Sequence, residues 1–152
     1  SFVERDKRKI DMKYLNKFGV KSGPILKRLQ RGKDLKIEGK IIKASKATTI
    51  KKGLKISLVT DTNYNSRIIN FVNGADVFIC EATFSHDLKE KADKYKHLTS
   101  TIAAEMARKA KVKKLVLTHF SQRYKNVSKI LLEARSVFNN TTAASDFMTL
   151  EI

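Results

Sequence analysis

Apolar and polar positions follow two rhythms along this chain, and the change between them marks its elements. From residue 54 onward, short aliphatic runs alternate with longer stretches in which apolar residues recur every three or four positions. "LKISLVTDT" (54–62), "DVFICEATF" (76–84) and "KLVLT" (114–118) read as buried strands, each running out into polar residues. "SRIINFVNGA" (66–75) reads as a helix closed by Gly74. "LTSTIAAEMARKAKV" (98–112) places Ile102, Ala103, Met106, Ala107 and Ala110 on one helical face. A helix over 127–138 and a last strand near "DFMTLEI" complete the order. Strand and helix in alternation predict an α/β layered domain.

The front of the chain is built differently. "SFVERDKRKI" suggests a strand or a sheet edge. "DMKYLNKF" (11–18) spaces Met12, Leu15 and Phe18 three apart, a short helix stopped by Gly19. Gly23-Pro24 makes a turn, with Pro24 suited to open a second helix that Ile25, Leu26 and Leu29 would anchor and Gly32 would end. "LKIEGKII" alternates like a hairpin around Gly39. Residues 11–36 contain little apolar material, so an arm projecting from the main body is expected there.

Charge changes this picture most. Against 15 acidic side chains stand 32 basic ones, and residues 1–53 hold 17 of the basic and 5 of the acidic. An excess of this kind favours polyanionic partners through counterion release, although a lysine-rich solvated surface accounts for it as well. With 152 residues the chain fits one domain with a real core. Its longest apolar runs fall far short of the roughly 20 residues that cross a bilayer. The single cysteine, Cys80, permits no disulfide within the chain, and no signal-peptide core is present at the front, so the cytoplasm is the expected location and no membrane partner is expected.

Candidate chemistry gathers where strands end: Asp61 and Thr62, Glu81 and Thr83, then Thr118 and His119, with His97 just before a helix. If these strands are neighbours, carboxylates and imidazoles meet on one rim, a donor mixture that suits zinc or manganese. Each residue has an ordinary reading too. Asp61 serves equally as a cap, Glu81 as a buried carboxylate paired with a basic residue, and His97 as a helix-start residue. Thr99 is most simply a helix cap, and His86 a surface residue.

Taken together, "DT", "ADVFICEATF", "HLTSTIAAEMARKAKVKKLVLTHFSQRY" and "ASDFMTLEI" resemble the C-terminal half of ribonuclease Z (tRNase Z), the metallo-β-lactamase-fold endonuclease that trims the 3′ trailer from precursor tRNA. "CEATF" corresponds to that family's His-Glu-Ala-Thr motif, "HLT" to its His-Ser-Thr motif, and "LTHFSQRY" to its last metal-ligand strand. "FGVKSGPILKRLQRGKDL" is similar to its Gly-Pro-containing tRNA-gripping arm. The resemblance implies half of an αββα sandwich with a basic arm inserted at 11–36, and two divalent metal ions, normally zinc. It implies that Asp61 bridges the ions, that His119 is a final ligand, and that His97, supported by Glu81, protonates the leaving 3′ oxygen. Arg123 and Thr62 would contact a substrate phosphate. Gly23, Pro24, Lys27, Arg28 and Arg31 would grip tRNA.

The sequence departs from the family pattern at Cys80, where the family has histidine, at Leu98, where it has serine, and in "VTDT" in place of Ser-Gly-Asp-Thr. The His-x-His-x-Asp-His motif is absent, and the three histidines present are 86, 97 and 119. A catalytic zinc takes three protein ligands plus water. The expectation is therefore a chain inactive alone that needs a complementary half; the resemblance implies that the whole acts as a homodimer. The alternatives are a noncatalytic RNA-binding subunit and a phosphodiesterase of the same fold.

Overall fold

β-Branched and aliphatic runs bounded by polar residues become the strands of one mixed sheet, and the amphipathic stretches between them become its covering helices. The computed structural model describes residues 1–152. Two compact units emerge: a body formed by Ser1–Val3 with Leu54–Ile152, and a small unit formed by Glu4–Gly53.

The first strand, β1 (Phe2–Val3), belongs to the body. The small unit then follows as β2 (Lys7–Ile10), α1 (Met12–Asn16), α2 (Leu26–Gln30), β3 (Leu35–Ile37), β4 (Lys40–Ile42), α3 (Ala44–Ala47) and β5 (Thr48–Lys51). β2 pairs antiparallel with β5, and β3 with β4 across a turn whose residues Glu38 and Gly39 both have positive φ. That conformation matches the twist of a tight hairpin. Asp11 caps α1 by accepting from the Tyr14 amide at 3.0 Å, and Asp34 accepts from Ala44 N at 2.8 Å. Leu15, Val20, Leu26, Leu29, Leu35, Ile42, Ala44 and Ala47 close a core of their own. Five of these eight lie within 11–36 and three, Ile42, Ala44 and Ala47, come from beyond it, while Ile25 is exposed rather than part of the apolar face.

In the body, β6 (Lys55–Val59), α4 (Ser66–Val72), β7 (Val77–Glu81), a 3-10 turn (His86–Leu88), α5 (Lys89–Tyr95), α6 (Ser100–Lys109), β8 (Lys114–Thr118), α7 (Ser128–Val137) and β9 (Thr141–Ala143) follow in order. The sheet runs β1-β6-β7-β8-β9, antiparallel at β1 and parallel elsewhere. Parallel neighbours need crossovers, and right-handed crossovers in one direction put their helices on one face. Val72 of α4, Ala103 and Ala107 of α6, and Ile130 and Ala134 of α7 accordingly share a core with Phe78, Cys80, Leu115 and Leu117. Phe2 pairs with Ile56, and Leu58 lies two residues further on, so both stand on the opposite sheet face, where they are exposed.

Two elements differ from the sequence reading. The last strand is Thr141–Ala143, earlier than "DFMTLEI", because Phe147 adopts φ 61° and breaks any extended run there. α5 is not expected from the sequence; among its seven residues, Ala92 alone is buried, too little to register as a hydrophobic period.

Candidate active site at the strand ends

The carboxyl ends of three adjacent parallel strands carry the candidate chemistry, the rim where open α/β sheets place their ligands. Glu81 ends β7, in register with Thr118 of β8, which His119 follows. Asp61 lies two residues beyond β6. Asp61 and His119 both adopt positive φ, 55° and 57°. Left-handed backbone is uncommon outside glycine and concentrates at sites whose surroundings over-determine it. His97 reaches the rim from another direction. Lys96, also left-handed at φ 58°, ends α5, and the His97 amide donates to Ala92 O at 2.9 Å. Phe84 N then donates to Leu98 O, and Ser100 N to Phe84 O, which fastens the His97 loop beside β7. Thr99 caps α6.

Glu81 organises this rim. Its side chain is fully buried and its two oxygens accept from four donors. These are the Thr62 amide, Thr83 Oγ1 at 2.8 Å, the Leu98 amide at 3.0 Å and His97 Nδ1 at 3.1 Å. No lysine or arginine pairs with it; the one basic side chain against it is His97. Three of these donors meet Oε2 and one, the Thr62 amide, meets Oε1.

The consequence is a constrained ring orientation at both histidines. Thr83 Oγ1 has one proton, which the Glu81 carboxylate takes as the stronger, charge-assisted acceptor. With that proton directed to Glu81, His119 Nδ1, 3.1 Å from the same hydroxyl oxygen, donates to it; the Thr83 hydroxyl also lies 3.0 Å from His119 O. Nδ1 of His97 likewise donates to Glu81. Both rings therefore direct Nδ1 inward and Nε2 away from these partners, the arrangement in which a supporting hydrogen bond orients an imidazole for ligation or proton transfer. The two ring centroids are 5.3 Å apart. Asp61 Oδ1 lies 3.9 Å from His97 Nδ1 on a side chain that is 81% exposed.

Donor atoms of Glu81, His97 and His119 fall within 4.8 Å of one another. A carboxylate with two imidazoles is a donor set for a divalent cation. Glu81 already accepts three donors at Oε2 and one at Oε1, whereas His119 Nε2 and the Asp61 carboxylate remain outward. The residues present fit part of a metal site, with Glu81 as its orienting partner.

The other candidates fall in three places. Thr62 touches the rim through its amide, while its hydroxyl donates to Asn63 O. Arg123 lies with its guanidinium carbon 5.3 Å from the Phe84 ring centroid, its Nε donating to Ser121 Oγ, and no carboxylate pairs with it. Gly23, Pro24, Lys27, Arg28 and Arg31 are exposed in the small unit. Cys80 is buried against the helices, and burial pushes its thiol well above the usual range.

A supporting layer escaped the sequence reading. Tyr124 Oη bonds both the amide and the hydroxyl of Ser85, and Glu133 accepts from Ser100 Oγ and the His86 amide. These bonds hold the Thr83–His86 segment from α7 and from the loop before it. Nothing local in the sequence announces them.

A ribonuclease Z of Borrelia garinii subsp. bavariensis is 42% identical over 139 residues, covering 88% of this chain and 44% of the relative. A ribonuclease Z of Archaeoglobus fulgidus is 38% identical over 156 aligned positions, covering 100% of this chain and 51% of the relative. The chain belongs to the ribonuclease Z family. It spans about half the length of the curated relatives it matches. No family model matches it. Among solved structures, human tRNase Z, short form, superposes with a TM-score of 0.53 at 31% identity, over 68% of this chain and 36% of that one. The metallo-β-lactamase fold protein YhfI from Bacillus subtilis does so with a TM-score of 0.54 at 25% identity, over 73% and 44%. The α/β body is thus a ribonuclease Z portion of the metallo-β-lactamase fold.

Proposed function

We propose that this chain is the part of a metal-dependent endoribonuclease that completes the active site for removing the 3′ trailer from precursor tRNA. The observation that carries the reading is the convergence of Asp61, Glu81, His97 and His119 on one rim, in a chain homologous to ribonuclease Z.

Asp61 and His119 Nε2 would contribute ligands to a pair of divalent ions, zinc by donor type, and a complementary half would supply the remainder. Bound there, the ions would activate water and offset charge on the phosphate. His97, held by Glu81, would pass a proton from Nε2 to the leaving 3′ oxygen. Arg123 and Thr62 would hold a phosphate near the cut, with Arg123 offering its planar fork. The small unit, with Gly23, Pro24, Lys27, Arg28 and Arg31 outward, would grip the tRNA body by phosphate charge and shape. The exposed face carrying Phe2 and Leu58 suits a covering second sheet from the complementary half. We place the assembled enzyme in the cytoplasm as a homodimer.

The test is complementation. The purified chain should leave precursor tRNA uncut. Addition of the complementary half should produce metal-dependent cleavage that Asp61→Ala and His119→Ala abolish. Cleavage by the chain alone would refute the division of ligands. A second reading, a noncatalytic RNA-binding subunit, is favoured by the charge of the small unit, which needs no metal. Tight tRNA binding without restored cleavage would select it. A phosphodiesterase of the same fold would keep its activity on small substrates when 11–36 is deleted, whereas tRNA processing would collapse.

A further inference from the structure

Beside His97 the body opens a cleft of about 340 Å³ whose walls include Phe84, Lys91, Tyr95 and Arg123. Its volume is at the small end of ligand sites, about 300–1,000 Å³, enough for one nucleotide and too small for a duplex. No carboxylate lines it. Arg123 is spread over Phe84 on one wall. On the other, Tyr95 is 56% exposed, with the ammonium groups of Lys91 and Lys94 at 5.9 and 6.0 Å from its ring centroid. An aromatic ring with cations over it and no carboxylate beside it is a combination that holds single-stranded nucleic acid without base readout, a base displacing the ammonium groups from the ring face.

Tyr95 is also tied to the candidate chemistry by the backbone. Only Lys96 separates it from His97, and the left-handed Lys96 together with the His97 N–H to Ala92 O bond fixes the turn between them. A base stacked on Tyr95 therefore lies at a set distance from His97, so the ring can position an unpaired nucleotide and not merely add affinity. The resemblance and the rim chemistry account for Arg123; they leave Tyr95 and Lys91 without a role.

We propose that Tyr95 and Lys91 form a positioning subsite for the unpaired nucleotide adjoining the scissile phosphate, with Tyr95 stacking on its base and Lys91 and Arg123 flanking its phosphate. The proposal rests on the ribonuclease reading for the word scissile, but its binding claim stands on the cleft alone.

The experiment is an NMR titration of the 152-residue chain with a uridine tetranucleotide, read at the Tyr95 ring and the Arg123 Nε resonance, so that binding to the basic small unit is scored separately. Both resonances should shift together. Tyr95→Ala should weaken the site about tenfold and Tyr95→Phe should keep it within about twofold, because the ring and not the hydroxyl stacks. Lys91→Gln should lower the salt slope by about 0.7. Shifts confined to residues 4–53, a Tyr95→Ala affinity equal to the parent, or Tyr95→Phe as weak as Tyr95→Ala each overturn the subsite. A complemented enzyme that cuts precursor tRNA while the oligonucleotide leaves Tyr95 undisturbed refutes the cleft alone. Tyr95-dependent binding without cleavage by the complemented enzyme refutes the processing role and keeps the cleft as an RNA site; absence of both refutes both.

Discussion

The body and the small unit solve opposite problems with the same chain. In the body, sixteen buried apolar residues pack three helices against one face of a five-stranded sheet. The small unit closes on eight, with two-stranded ribbons and helices of five residues or fewer. Isolated ribbons and short helices are individually marginal, so each contact in the small unit matters more. Its surface reverses the ranking, since Glu4–Gly53 holds 17 basic and 5 acidic side chains. Groups that must meet within a fraction of an ångström sit on the element with most core behind it. Charge that must only meet a polyanion sits on the element with least.

The comparison breaks most visibly at Leu29, which is fully buried in the small unit. Leu29→Ala should cost about 3 kcal/mol and unfold that unit, because its core has little to collapse into the gap. Amide exchange across 54–152 should stay protected; loss of protection in both units at once would show a single cooperative block.

Next in size is Glu81→Gln. Glutamine keeps the shape but gives up one acceptor oxygen and adds two donors facing donors. A destabilisation of about 2 kcal/mol is expected in thermal unfolding. Metal-dependent cleavage by the complemented enzyme should fall on the order of 100-fold as both imidazoles lose their orientation. Unchanged cleavage would remove Glu81 from the organising role.

A smaller effect separates the units by acid. The Lys113 ammonium at 2.6 Å, followed by the Lys55 amide at 2.7 Å, holds the Asp76 carboxyl below the usual carboxylate range. A depressed folded value means stability that is fully present above the ordinary carboxylate range and is lost as pH falls through the folded value. Asp76→Asn should therefore cost the body about 1 kcal/mol at neutral pH, a difference that closes in strong acid. A pH-independent difference in denaturant melts would reject this account.

The smallest change is Lys27→Gln, an exposed substitution that should leave thermal unfolding within about 0.5 kcal/mol. Its signature is in binding: the salt slope of tRNA affinity should drop by about 1. An unaltered slope would place the tRNA contact elsewhere on the chain.

Much of the body was legible because its signals are local. "DVFICE" and "KLVLT" show their strands through aliphatic runs, and the face through Ala103 and Ala107 shows a helix without help from any partner. The site residues were legible as a set only because each stands at a strand end. Glu81 read equally well as one half of an ion pair, since nothing in "CEATF" says which donors will surround it. α5 was not legible, because its surface is lysine and its anchor is one alanine. The small unit's core was missed because half of it lies after residue 34, across a turn that separated the pattern into two pieces.

By itself the sequence determined the alternation of strand and helix, the concentration of positive charge before residue 54, and which side chains could carry chemistry. These follow from period, composition and residue type, which act over a few neighbouring positions. Only the tertiary structure decided that Glu81 spends its lone pairs on Thr62, Thr83, His97 and Leu98, that both imidazoles direct Nδ1 inward, and that Tyr95 shares a cleft with Arg123. Most of those outcomes depend on contacts between residues 16 to 36 positions apart along the chain, and on burial that makes each unmade bond costly, so no local pattern encodes them.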